Sequence, residues 1–416
     1  MEPEITCSSL LLDSGGGWLD DITDTDSFML FKRPVLSMSF QGELTRINTG
    51  NKIIQSKRDP VMVLEGYLSE GYVAAGYLGY EYSGLTDTGF TPVRRKDGTK
   101  FPELFFHLYR MEDIERGSIR ELAYRFNLPV NEENPCGIDK GNHSIISNMS
   151  KAEYIDMVLK AKKYIEYGDL YQINLSQRFM LDFTINPLPY FMRMFHVQHV
   201  PFASYMDFGD FQLLSGSMEL FLRKKGRKLL TKPIKGTRRR GLSEQADTIK
   251  KAELVSSEKE RAENLMIVDL MRNDLSRVCR PGSVKVNGLF EIESYATLHQ
   301  MVSEVQGEIK ADAGIGEIVR NVFPPGSVTG APKKRTLEII DELEPHYRGP
   351  YCGAIGVFYP DGDFTLSVGI RVLAAEAGRC SFWAGGGIVW DSDPEKEYEE
   401  SLLKSLAVRK AFGLIE

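Results

Sequence analysis

The tightest constraint on the fold lies in the last quarter of the chain, where two strand-like runs, Gly353 to Tyr359 and Phe364 to Ala374, are separated only by Pro-Asp-Gly-Asp. A parallel connection needs a crossover of about a dozen or more residues. Four residues close a hairpin, and Asp-Gly supplies the turn. The chain must therefore contain antiparallel sheet. Other β-rich runs, Tyr72 to Tyr80 and Leu104 to Tyr109, are punctuated by Gly and Pro, and DLYQINLSQRFML alternates as a strand. Helical spacing covers Lys151 to Tyr167, with Ser150 as N-cap and Gly168 as stop. It returns over about Ser257 to Asn273, over Pro332 to Leu343, and from Pro394 to about Ala411 behind an Asp393 cap. This mixture predicts an α+β (mixed α/β) fold in which large antiparallel sheets are wrapped by helices.

With 416 residues, 42% of them hydrophobic, the chain can bury one very large core or two ordinary ones. The stretch Asn131 to Ser150, rich in Asn, Gly, Pro and Ser, is the candidate linker, dividing a region 1–130 from a region 151–416. A net charge of −7 argues against nucleic acid as a partner, because such binders concentrate Lys and Arg. No run of about 18 apolar residues could span a bilayer. The N-terminus lacks a basic start and an apolar signal core, so the expected location is the cytoplasm. The five cysteines, Cys7, Cys136, Cys279, Cys352 and Cys380, are scattered without CxxC spacing and predict reduced thiols.

Several constellations can carry chemistry. Glu260 with Glu263, and Glu397 with Glu400, are pairs three apart on predicted helices, so each pair shares a face. Converging, they would form an oxygen-rich site suited to Mg²⁺. Glutamates on helices also mark solvated surface, and spacing alone leaves both readings open. Three glycines in AGGGIV, residues 384–389, predict a turn before the last helix, either a carboxylate-binding nest or a tight bend. Asn321 to Lys334 feeds Gly and hydroxyl residues into a helix start. Lys235 lies between Ile234 and Gly236, where partial burial would lower its pKa; an ordinary lysine is only about 0.04% neutral at pH 7. His299 is either a general acid or a structural histidine. Arg371, a cation in an apolar strand, must face a carboxylate from the protein or from a ligand.

The order and wording of PIKGT (233–237), ERAENLMIVDLMRNDLSRV (260–278), PPGSVTGAPKKR (324–335), GPYCGAIGVF (349–358) and AGGGIVWDSDPEKEYEESLLK (384–404) resemble the chorismate-utilising enzymes over nearly the whole chain. These include component I of aminodeoxychorismate and anthranilate synthases, with isochorismate and salicylate synthases further off. The resemblance implies one large α/β unit with its active site in a cleft between two subdomains, the regions 1–130 and 151–416 being intertwined. It implies Mg²⁺ as cofactor at Glu260, Glu263, Glu397 and Glu400. It further implies that Arg371, Tyr351 and the backbone at Gly386 and Gly387 hold a substrate carboxylate, with Lys404 near the metal. Glu219 matches the acid that assists loss of the 4-hydroxyl, and His299 and Ser327 match residues lining the ring.

Lys235 separates the closest relatives. Anthranilate synthases carry PIAGT and aminodeoxychorismate synthases PIKGT, which is the reading here. The resemblance therefore implies amination of chorismate at C4, with Lys235 as nucleophile, on the route to p-aminobenzoate and folate. Water-adding relatives place a basic Lys where this chain has Gln172. No GxCxG glutaminase loop occurs in the sequence, so ammonia is expected from a separate glutamine amidotransferase subunit. Pyruvate release is expected from a separate aminodeoxychorismate lyase. LLLDSGG, residues 10–16, resembles the LLES tryptophan element of anthranilate synthases, and an edge strand is the preferred reading.

Overall fold

The computed structural model describes residues 8–14, 16–18, 26–92, 101–125, 145–183, 187–295, 298–376 and 378–411. Most of the candidate linker, together with Cys7 and Cys136, lies outside the described residues; Cys279, Cys352 and Cys380 are free and buried.

Two antiparallel sheets dominate. One runs in the order Gly330–Ala331, Gln172–Phe183, Gly378–Ile388, Val372–Glu376, Phe211–Ser217, Phe202–Asp207, Ser9–Asp13, Ser27–Phe31, Ile114–Ser118. The other runs Ile234–Arg239, Leu298–Glu308, Lys228–Lys232, Leu220–Lys225, Phe364–Val368, Ala354–Phe358, Val73–Leu78, Leu104–Tyr109, Leu36–Gln41, Leu44–Asn48, Ile53–Ser56. Strands from before residue 131 and after residue 150 thus join both sheets. The hairpin that opened the sequence reading is present: Phe358 pairs with Phe364 across a turn in which Gly362 has φ 80°.

The helices expected behind Ser150 and Asp393 start at those caps. Lys151–Glu166 begins with a capping box between Ser150 and Glu153. Ser257 caps Glu258–Val278, which runs a turn further than its periodicity suggested. Pro332 precedes Lys333–Leu343, and Asp393 accepts the Lys396 N–H before Pro394–Ala411.

Three expectations are corrected. Residues 364–374 are two strands, not one: Phe364–Val368 belongs to one sheet and Val372–Glu376 to the other, and the chain crosses between sheets at residues 369–371. Gly369 permits the crossing, since a Cβ there would lie 2.2 Å from the Pro350 carbonyl oxygen. The three glycines do not form a turn but continue the strand Gly378–Ile388, pairing with Gln172–Phe183; a Cβ on Gly385 would meet the Leu175 carbonyl oxygen at 2.0 Å. Ser9–Asp13 is an interior strand, paired on one side with Phe202–Asp207 and on the other with Ser27–Phe31.

Candidate active site

The chain switches sheets twice at adjacent places. Met218 and Glu219 join Phe211–Ser217 to Leu220–Lys225, and residues 369–371 make the second crossing. Backbone bonds tie the crossings together, Val368 N–H to the Glu219 carbonyl at 2.9 Å and Gly216 N–H to the Arg371 carbonyl at 3.2 Å. Strands that change sheets leave a corner. The corner opens into a cavity of about 500 Å³, and Glu219, Lys235, Glu260, Glu263, Ser327, Tyr351, Arg371, Gly387, Glu397, Glu400 and Lys404 all line it. Residues scattered over almost 200 positions of sequence therefore meet in one place.

Glu219 is 5% exposed, and burial pushes its carboxyl up to about 7 despite a Ser327 hydroxyl contact, the Lys235 charge and the Ile234 N–H. Lys235 is half-buried, its amine opening onto the cavity, and burial lowers its pKa against the pull of Glu263 and Glu219. Its amine has no hydrogen-bond or ion-pair partner among the described residues. Flanking glycines make the room: Gly236 has φ 87°, and a Cβ there would meet Leu254 at 2.9 Å and Glu260 at 3.0 Å. A Cβ on Gly387 would lie 2.7 Å from the Gln172 amide nitrogen and 3.6 Å from the Lys235 amine.

Two helices bring the four glutamates to one wall. Burial raises the pKa of Glu263 and of Glu397, with Glu400 adding like-charge repulsion to each. Lys404 pairs with Glu400 at 2.8 Å and holds its pKa down. Arg238 takes Glu260 at 3.1 Å, and Lys259 approaches Glu263 at 3.9 Å. Gly386 looks onto this group, since its Cβ would sit 3.2 Å from a Glu397 oxygen and 3.6 Å from a Glu400 oxygen. Among the described residues no three acidic, His or Cys side chains stand close enough to grip a metal unaided.

Arg371 adopts φ 50°, a left-handed backbone that an arginine rarely takes. Among the described residues its side-chain partner is the Gln198 amide oxygen, which accepts at 2.6 Å. Tyr351 is buried, stacks on Trp383 with centroids 6.2 Å apart, and is hydrogen-bonded by the Asn174 side chain. His299 is not brought to the cavity. It is 1% exposed, and its ring nitrogens face Ser294 at 2.8 Å and Asp247 at 2.9 Å; its neighbour Gln300 lines the cavity instead.

Asn174, Trp383 and Gln198 escaped the sequence reading. Asn174 had a signal, a polar residue at the buried phase of an alternating strand; Gln198, on an irregular helix end, had none. Asp13, in the LLLDSGG stretch, spends its carboxylate on the N–H groups of Gly16, Gly17 and Trp18 at 3.0, 2.7 and 2.6 Å.

A family model described as chorismate binding enzyme matches residues 18–410. The chain is 44% identical over 259 residues to aminodeoxychorismate synthase component 1 of Bacillus subtilis (strain 168), covering 62% of this chain and 55% of that protein. It is 41% identical over 272 residues to anthranilate synthase component 1 of Acetivibrio thermocellus, covering 65% and 55%. The chain spans about half the length of these curated relatives. Among solved structures, anthranilate synthase component I from Streptococcus pneumoniae TIGR4 matches with a TM-score of 0.76 at 27% identity, over 95% of this chain and 93% of that one.

Proposed function

The chain belongs to the family of chorismate binding enzymes, and from that premise we propose that it aminates chorismate at C4, acting as component I of an aminodeoxychorismate synthase. One observation carries this reading over anthranilate synthesis, since relatives of both kinds are about equally similar: an unpaired lysine of lowered pKa, Lys235, opens onto the cavity that Glu219 lines.

Chorismate carries two carboxylates, and the cavity meets them with one guanidinium and one wall of glutamates. Arg371, near Tyr351, takes the enolpyruvyl carboxylate. The ring carboxylate faces the wall of Glu260, Glu263, Glu397 and Glu400, which repels it unless a cation intervenes. Glu397 is buried and Glu263 half-buried, and burial makes the unneutralised charge of each costly. The four side chains offer the carboxylate chemistry that Mg²⁺ takes, an ion bound through a few carboxylates with water and substrate completing its shell, although they do not converge on one point unaided. Bound there, Mg²⁺ supplies electron withdrawal from the conjugated ring and fixes the ring carboxylate.

The residues then divide the work. Neutral Lys235 forms a bond from its amine to C2, the ring double bonds shift, and the C4–O bond breaks. Glu219, protonated in part at neutral pH, delivers its proton so that the hydroxyl leaves as water. Ammonia next adds at C4, the double bonds shift back, and Lys235 departs from C2 as the neutral amine. Ser327, in contact with Glu219, orients that carboxyl. Ammonia comes from a separate glutaminase subunit, and a separate lyase releases pyruvate. Among the described residues no helix is long and apolar enough to cross a membrane.

The test is to incubate the chain with chorismate, Mg²⁺ and ammonium and identify products by mass spectrometry. A species that becomes p-aminobenzoate only after a lyase is added supports C4 amination. Anthranilate formed without lyase would overturn it.

A further inference from the structure

The cations of the cavity wall are not equivalent. Lys404 has Glu400 at 2.8 Å, Arg238 has Glu260 at 3.1 Å and Lys259 has Glu263 at 3.9 Å. Arg371 has no carboxylate among the described residues. Burial alone lowers its pKa to about 10, with no neighbouring charge to offset it. An arginine in that state is ordinarily costly, yet its backbone is held at φ 50° at the crossing between sheets, which is a further cost.

What holds the guanidinium is a neutral group from elsewhere in the fold. Gln198 closes the helix Leu188–Val197, where its N–H bonds the Met194 carbonyl at 3.0 Å, so the root of its side chain is fixed. Its side-chain oxygen accepts from the Arg371 Nη1 at 2.6 Å. A guanidinium only donates, so the amide atom facing it must be the oxygen. One of five donors is thereby used, and the positive charge is left intact.

We propose that Gln198 is a positioning and specificity-determining residue: its neutral amide aims Arg371 into the cavity without neutralising it, keeping the guanidinium available for a substrate carboxylate. This rests on the chorismate reading above. A glutamate at 198 has nearly the same shape and would close the ion pair that the protein leaves open. The substrate carboxylate would then meet a pair of zero net charge.

The experiment compares wild type, Gln198→Glu and Gln198→Met for kcat and KM toward chorismate with saturating Mg²⁺ and ammonium, alongside thermal unfolding. In Gln198→Glu the KM should rise about 10- to 100-fold, the scale of a lost charge-assisted contact. Its kcat should stay within about threefold, and its Tm should hold or rise because Arg371 gains a partner. Gln198→Met removes the aim but keeps the charge, and its KM should rise less, by about three- to tenfold. A wild-type KM in Gln198→Glu overturns the proposal. So do equal rises in KM with equal losses of Tm in both variants, which would mark a merely structural side chain. A wild-type chain inactive on chorismate would remove the underlying reading, and the proposal with it.

Discussion

Two clusters of charge lie on either side of Asn174 and Val328, which line the cavity while their carbonyls accept from Arg348. Behind these two residues, Arg348 and Glu344 are each 1% exposed and form a bidentate pair at 2.8 and 2.7 Å. Arg348 also donates to the carbonyls of Asn174 at 2.6 Å and Val328 at 3.2 Å, and Glu344 accepts from the Ser176 N–H at 2.7 Å and hydroxyl at 2.9 Å. Burial opposes the charge on Glu344, yet Arg348, His346 and Ser176 together outweigh it and keep the carboxyl below its ordinary pKa. In front of Asn174 and Val328 the same low-dielectric interior holds Glu219, Lys235 and Arg371 without such compensation, and burial wins. A satisfied network rigidifies the scaffold; an unsatisfied one keeps interaction energy that a ligand can use.

That contrast predicts rate effects in front and stability effects behind. Lys235→Ala should reduce C4 amination by on the order of 10⁴-fold, measured as product per enzyme by mass spectrometry, while Tm holds or rises. A comparable loss of Tm would break the comparison.

Arg348→Ala should cost about 3–5 kcal/mol of stability in denaturant unfolding, because Glu344 is left buried and alone. A loss below about 1 kcal/mol would mean that the network is not the support claimed here.

Glu219→Gln should lower kcat by about 10²- to 10³-fold and abolish the fall in kcat/KM expected above about pH 7 as the carboxyl ionises. The stability effect has the opposite sign. The folded pKa is raised, so below the ordinary carboxyl pKa neither state is charged and nothing is lost. As pH rises toward 7 the unfolded chain ionises first, and above 7 the full penalty stands, about 3 kcal/mol for the raised value. The glutamine variant should therefore be the more stable protein at pH 8 and not at pH 4.

The smallest effect belongs to the glutamate wall, where Mg²⁺ is proposed to bind. Glu263→Gln should raise the Mg²⁺ concentration for half-maximal turnover by about 10- to 100-fold. Turnover with unchanged Mg²⁺ dependence in this variant would remove Glu263 from the ligand set.

Much of this protein was legible in its sequence. Capping residues Ser150 and Asp393 start their helices because a side-chain oxygen meets an orphan N–H within the same few residues. The hairpin at 359–363 follows from distance alone. The glutamate pairs share helix faces by spacing, and long motifs identified the family. These signals are local, or written in the wording of motifs.

Other features depend on partners far away in the chain. Apolar alternation runs unbroken through residues 364–374, so nothing local reveals that Gly369 packs against Pro350 and passes the chain to another sheet. His299 looked available until Asp247 and Ser294 met its ring. Gln198 and Arg371 are 173 positions apart. Periodicity reports which face of an element is buried. Whether a buried charge is paired, and hence whether it supports the fold or serves a ligand, is decided only when the tertiary structure sets its solvation and its neighbours.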